Sequence, residues 1–212
     1  MKPHFHRVPV KSENSFSIRH ERESSFGTVW HYHPELELHY LVKGKGVRFI
    51  GDDISNFSDG ELILLGENLP HTWRAEAGIN NPVVEVIVLH FLPDCLGSDL
   101  LHLPEAYLIP KLYEQAKKGL VISGEAKEQI VSLLNTAVHA QNLDRLISLL
   151  SIFACRFLIS NIFYPTEFSN FISINFTAST ANSRGNSLNT SLQKPFTSME
   201  MDFSMSKPRE RR

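Results

Sequence analysis

The stretch His31-Tyr32-His33-Pro34-Glu35-Leu36-Glu37, followed by Gly44, decides the reading of this chain. Alternate residues of a strand share a face. His31, His33 and Glu37 therefore point the same way, provided strand pairing continues through Pro34. Two imidazoles and a carboxylate converging inside a barrel suit Fe(II), Mn, Ni or Zn. A fourth residue of ligand type, His71, follows Gly60 and the run Gly66-Glu67-Asn68-Leu69-Pro70. A hairpin would bring its strand opposite the first.

Around these segments, residues up to about 93 read as β. The short apolar runs Leu36–Val42, Gly46–Ile50, Glu61–Leu65 and Val83–Phe91 alternate with turn signals at Lys43–Gly46, Gly51–Asp53 and Ser58–Gly60. Strands of this length and spacing predict a sandwich or small barrel. From about 104 to 160 the period becomes helical. Ser123 reads as an N-cap with Glu125 in the first turn. Ile130, Leu133, Leu134, Ala137 and Val138 follow at helical spacing, and Leu143, Leu146, Ile147, Leu150, Phe153 and Ala154 form a second run. The short Ala140–Asn142 link predicts an antiparallel pair. A shorter helix is expected over Pro110–Lys117, stopping at Gly119. The apolar stripes serve either the core or a dimer face, because a small barrel cannot cover two amphipathic helices on every side.

From Pro165 the text is rich in Ser, Thr and Asn, with Phe and Met scattered without period, and it ends Lys207-Pro208-Arg209-Glu210-Arg211-Arg212. It reads as an irregular tail, its basic end as solvated. The fold expected is mainly β, with a barrel over 1–95, a helical segment over 96–160 and the tail over 161–212.

Composition narrows the function classes. The chain has 212 residues, 42% hydrophobic and 21% charged, with net charge -2. That is enough for a core, and it excludes collagen-like, disulfide-dense and wholly disordered chains. The near-neutral balance argues against coating nucleic acid non-specifically. Cys95 and Cys155 lie far apart, without metal spacing, and fit a reducing, cytoplasmic setting. Met1–Asn14 has no apolar core of a signal peptide. Leu146–Tyr164 carries one charge, Arg156. An Arg near a spanning centre costs about 2.5–3.5 kcal/mol, so a packing helix is expected rather than a span. No serine-nucleophile elbow, Walker loop, dinucleotide fingerprint or zinc-spaced Cys pair is present.

The two histidine segments resemble the two cupin motifs. The first motif, His-x-His, three residues, Glu, six residues, Gly, is matched by His31, His33, Glu37 and Gly44. Its preceding Gly is displaced, since Gly27 stands only four residues before His31. In the second motif Gly60 and His71 match, while Gly66 and Asn68 stand where Pro and Gly are usual and Ala75 where Asn often follows. Asn tolerates the left-handed conformation that Gly would adopt there. The resemblance implies a cupin (double-stranded β-helix, jelly-roll) barrel. His-Tyr-His-Pro-Glu-Leu-Glu-Leu at 31–38, then Leu-Pro-His-Thr-Trp at 69–73, then a helical pair, resemble the sensor half of AraC-type transcription regulators. Phe91–Gly97 with Leu103-Pro104-Glu105 resembles the linker of that family.

The family resemblance spans roughly 10–153. It implies a barrel that binds a small effector such as a sugar, helices that form a homodimer, and a separate helix-turn-helix domain that meets DNA. The tail lacks the apolar period of such a domain and reads as a truncation or frameshift, the other option being a natural stand-alone sensor with an irregular tail.

Several residues are expected to share the pocket. His31, His33, Glu37 and His71 are the metal ligands if a divalent ion (Zn, Ni, Mn or Fe) is bound. Otherwise they hydrogen-bond the effector. Trp73 shares the face of His71 and serves either as a stacking surface or as core. Arg19 and His90 are preferred as further pocket residues over His20 and Arg48. Trp30 and Tyr32 have packing parity. Glu35 is expected at the rim, and His4 and His6 in a solvated amino-terminal arm. The expected function is effector sensing and dimerisation for an AraC-type regulator, without enzymatic activity. The alternative is a small metal-dependent cupin enzyme, a dioxygenase or isomerase.

Overall fold

The structure is a computed structural model that describes residues 2–23, 29–76 and 84–155 and the backbone of 162–163. All of these fall in one compact unit, Met1–Ser169. Gly27, Val83 and the remainder of the tail lie outside the described residues. In chain order the strands are β1 (His4–Phe5), β2 (Phe16–Glu23), β3 (His31–Tyr32), β4 (Leu36–Lys43), β5 (Gly46–Ile50), β6 (Asp53–Phe57), β7 (Leu62–Leu65), β8 (His71–Ala75) and β9 (Val84–Phe91). Two 3-10 turns lead to α1 (Leu108–Ala116), followed by β10 (Leu120–Ile122), α2 (Gly124–His139), α3 (Asn142–Ala154) and β11 (Ile162–Phe163).

The strands form a front sheet, ordered β1-β3-β8-β5-β6, and a back sheet, ordered β11-β10-β7-β4-β9-β2. The back sheet is antiparallel throughout. In the front sheet only the β1–β3 pair is parallel. The period of two then sorts the side chains. Leu41, Ile63, Leu65, Val86 and Val88 of the back sheet meet Ile50, Phe57 and Trp73 of the front sheet. Leu38, Leu64, Ile87 and Leu89 point the other way, against Leu112, Ile130, Leu134, Leu149 and Ile152 of the helices. A sheet buried on both faces needs nearly continuous apolar strands, and Val84–Phe91 reads that way, with only Glu85 less than buried.

This is the expected cupin arrangement, with helices packed on one sheet. α2 and α3 are in contact, joined by Ala140 and Gln141. Ser123 sits at the N-cap in extended conformation, but its side chain makes no capping hydrogen bond. α1 begins at Leu108, two residues earlier than its apolar text suggests. No helix among the described residues is long and apolar enough to cross a membrane.

Two expectations are corrected. Pairing does not continue through Pro34: β3 ends at Tyr32 and β4 starts at Leu36. The amino-terminal arm, solvated at His4, Phe5 and His6 as expected, is not a free end. His4 pairs with His31 and Phe5 with Tyr32, and His6 N–H donates to the Tyr32 carbonyl at 2.9 Å. The divergent second motif also has a local cause. Gly66 packs so tightly on the end of α1 that a Cβ there would sit 2.6 Å from Lys117 N, and its N–H donates to the Ala116 carbonyl at 2.8 Å. Asn68 takes the left-handed conformation, φ 56°.

Candidate functional site

Sheet register assembles the site. β4 pairs with β9 so that Glu37 stands opposite His90, and β3 pairs with β8 so that His31 stands opposite His71. His33 sits on the bend between β3 and β4. Glu37 Oε2 lies 3.1 Å from His33 Nε2, 3.2 Å from His71 Nε2 and 3.0 Å from His90 Nε2. His33, Glu37, His71 and His90 are all buried. His31 is half-buried, its ring 4.4 Å from that of His71.

The outer ring nitrogens are anchored. His31 Nδ1 is 2.8 Å from the Val29 carbonyl, His33 Nδ1 3.1 Å from the Glu35 carbonyl and His71 Nδ1 2.7 Å from the Leu69 carbonyl. A carbonyl can only accept, so each Nδ1 carries the proton. In the neutral rings the Nε2 lone pairs then face inward.

Electrostatics follow from burial and from this convergence. Burial alone would raise the Glu37 carboxyl, but the charges of His71 and His90 and the His33 hydrogen bond hold it well below the usual carboxylate range. Burial alone would lower His33, but the hydrogen bond and charge of Glu37, with the charge of Glu35, raise it above 6.5. Burial, then the neighbouring His71, push His31 down to about 4.

A cavity of about 430 Å³ opens beside the cluster, lined in part by His31, Glu37, His90, Trp73, Arg19 and the β1 arm. Trp73 is buried in its wall with its ring stacked on His39, centroids 4.0 Å apart and planes 10° apart. Arg19 Nε is 3.2 Å from Glu21 Oε1. His20 is exposed and bound to Glu85 at 2.8 Å, and Arg48 is buried against Glu61. Trp30 and Tyr32 are partly buried.

Glu35 is corrected from rim to interior. It is 9% exposed, with Oε2 3.5 Å from His33 Nδ1. Parity puts Glu35 on the face of His33 and Glu37, and the disturbance at Pro34, which predicts a rim position, leaves it inside. His39 escaped notice, although it follows Glu37 by two and shares its face.

Burial pushes the His39 ring down to about 4 against the opposing pull of Glu37. The folded ring stays neutral while the unfolded ring takes a proton below about 6.5. Stability contributed by His39 is therefore present above about pH 6.5 and is lost as pH falls toward 4, by on the order of 3 kcal/mol. His31 acts in the same direction. A His39→Phe variant should show a shallower loss of urea-unfolding stability between about pH 7 and 4.5 than the wild type. An unchanged slope would remove His39 from the acid response.

The donor set fits a divalent ion. Two atoms each about 2.1 Å from one ion stand roughly 3.0–3.4 Å apart, the range of separations from Glu37 Oε2. Two overlapping groups, His31–His33–His71 and His33–Glu37–His90, have ligand atoms within 4.8 Å of one another. Outer-nitrogen hydrogen bonds to carbonyls are the usual orientation of metal-binding imidazoles.

The family model for the AraC-like ligand binding domain matches residues 14–103. No curated protein matches the chain. Among solved structures, ToxT from Vibrio cholerae is 14% identical with a TM-score of 0.43, the match covering 64% of this chain and 53% of that one. ToxT from V. cholerae O395 bound to (E)-4-(8-methylnaphthalen-1-yl)but-3-enoic acid is 14% identical with a TM-score of 0.44, covering 73% of this chain and 61% of that one. A cupin 2 conserved barrel domain protein from Rhodopseudomonas palustris is 18% identical with a TM-score of 0.33, covering 49% and 74%. The chain thus spans between a half and two thirds of the ToxT structures.

Proposed function

Because residues 14–103 are an AraC-like ligand-binding domain, we propose that this chain is the effector-sensing and dimerising part of a cytoplasmic AraC-type transcription regulator. The observation that carries this reading is the cavity beside the histidine cluster, edged by the β1 arm. Residues 1–95 take a small polar effector of sugar size, with Trp73 as a stacking surface and Arg19, His31 and His90 as hydrogen-bonding groups. Residues 96–160 form the homodimer. Leu143, Ile147 and Leu150 make an exposed apolar stripe along α3 at the spacing of one helical face. Contact with DNA belongs to a separate helix-turn-helix domain of the regulator, and no membrane is involved.

A panel of monosaccharides and sugar acids, screened by thermal unfolding, tests the effector. A ligand at a hundred times its Kd stabilises by about 2.7 kcal/mol. Trp73→Ala should erase the shift. If no panel member shifts the transition, and native mass spectrometry finds no small molecule retained by the purified chain, effector sensing by this cavity falls. Sedimentation tests the dimer: wild type is expected as a dimer and Ile147→Glu as a monomer. A monomeric wild type would move the interface elsewhere.

The convergence of imidazoles on Glu37 supports a second reading, a metal-dependent cupin enzyme of dioxygenase or isomerase type. His31, His33, His71 and Glu37 would hold a Zn, Ni, Mn or Fe ion, which would supply Lewis acidity or redox chemistry when bound. The helical layer favours the sensor. Turnover by iron- or manganese-loaded protein that disappears in His33→Ala would favour the enzyme.

A further inference from the structure

Five residues crowd a site for which the cupin motifs supply four. The extra one is His90, which comes from β9 and belongs to neither motif segment. We propose that His90 is not a cation ligand but the hydrogen-bond donor that fixes the Glu37 carboxylate in position. The inference rests on the cluster being a cation site.

The outer nitrogens distinguish His90 from the other rings. Val29, Glu35 and Leu69 carbonyls require Nδ1–H on His31, His33 and His71, so His33 and His71 can also donate from Nε2 to Glu37 only with a second ring proton; once that proton is displaced, Nε2 is a lone pair. His90 Nδ1 is buried and has no hydrogen-bond partner among the described residues. Nothing there demands a proton. Its Nε2 lies 3.0 Å from Glu37 Oε2, and a carboxylate only accepts. The proton of a neutral His90 therefore sits on Nε2 and is given to Glu37. Such a ring has no lone pair to offer an ion at that atom.

Position supports the same role. Glu37 and His90 are register partners in the middle of the back sheet. β2 flanks His90 on the other side through Ser17. The donor is thus fixed by backbone on both sides, as a positioning residue should be. Because His90 also lines the cavity, its free Nδ1 lone pair can accept a hydrogen bond from a hydroxyl of a bound molecule.

The test pairs two substitutions with one measurement on the unaltered chain. Gln keeps an N–H donor but is a poor ligand for a transition metal, and Leu keeps neither function. Cobalt(II) binding is followed through its visible absorption, and affinity by competition. His90→Gln should bind cobalt with the wild-type spectrum and within about threefold of wild-type affinity. His90→Leu should lose about 10–100-fold in affinity with the same spectrum. A spectrum changed in both variants, with equal losses, would make His90 a ligand and overturn the proposal.

If a variant does not fold, long-range proton–nitrogen correlation on zinc-loaded wild type decides. Nε2 of His90 should appear protonated and Nδ1 unprotonated, and a metal-bound, unprotonated Nε2 overturns the proposal. Absence of any zinc or cobalt uptake by wild type overturns the cation reading and this inference with it. The same tautomer in metal-free protein would still identify the Glu37 hydrogen bond, so the two failures can be told apart.

Discussion

A Leu89→Ala variant is expected to unfold about 2–5 kcal/mol more easily than the wild type. Leu89 is fully buried and pairs in register with Leu38 on one side and Ile18 on the other. It belongs to the core cluster that joins the back sheet to Leu112, Ile130, Leu134, Leu149 and Ile152. Removing its methyl groups costs their transfer free energy and leaves a cavity between a sheet and three helices, where little can collapse inward. The cost should appear as a lower urea midpoint with an unchanged slope. Glu128→Ala, at an exposed position on α2, should change stability by less than about 0.5 kcal/mol. If Leu89→Ala instead separates the melt into two transitions, the helices are not part of the barrel's cooperative unit.

Glu37→Gln should lower zinc affinity by more than about 100-fold and also change how affinity depends on pH. Glu37 is the carboxylate on which three imidazole nitrogens converge. Its loss removes the anionic donor from a buried site and the main support for a proton on His33. In the wild type, His33 is raised above 6.5, so below that raised value an arriving ion must displace a proton. Affinity should then fall by up to about tenfold per pH unit as pH drops below the raised His33 value. In Glu37→Gln, His33 loses its proton more readily, and this dependence should move to lower pH. Competition titrations at several pH values check both parts. Parallel pH curves for the two proteins would show that His33 does not carry the displaced proton.

The site was legible in the sequence where a strand alternated cleanly and obscure where it did not. His31, His33, Glu37 and His71 stand at motif spacing, and His90 and Arg19 lie in strands with apolar neighbours. Glu35 has the parity of His33 and Glu37, and it stays on their side although the bend at 33–35 interrupts the pairing on which that parity rests. His39 is legible by its parity with Glu37 on β4, although no motif position falls on it. The β1 arm is two residues long, too short for any pattern, and only its partner β3 makes it a strand. β10, with three residues between two helical runs, owes its conformation to the edge of β7. The helix pair was plain from its apolar stripes, but which stripe faces the sheet depends on tertiary packing.

The back sheet is one chain thick, and both of its faces are buried. Glu37 and Leu38 are adjacent residues on β4, and Leu89 and His90 are adjacent on β9, yet each pair divides between the cavity and the helical layer. No linker or hinge is needed to connect the two sides. A molecule that restrains Glu37 and His90 also restrains the backbone from which Leu38 and Leu89 hang. Amide exchange in α2 should slow when the cavity is filled. By reciprocity, a substitution that loosens α2 against the sheet weakens that molecule's binding by the same free energy.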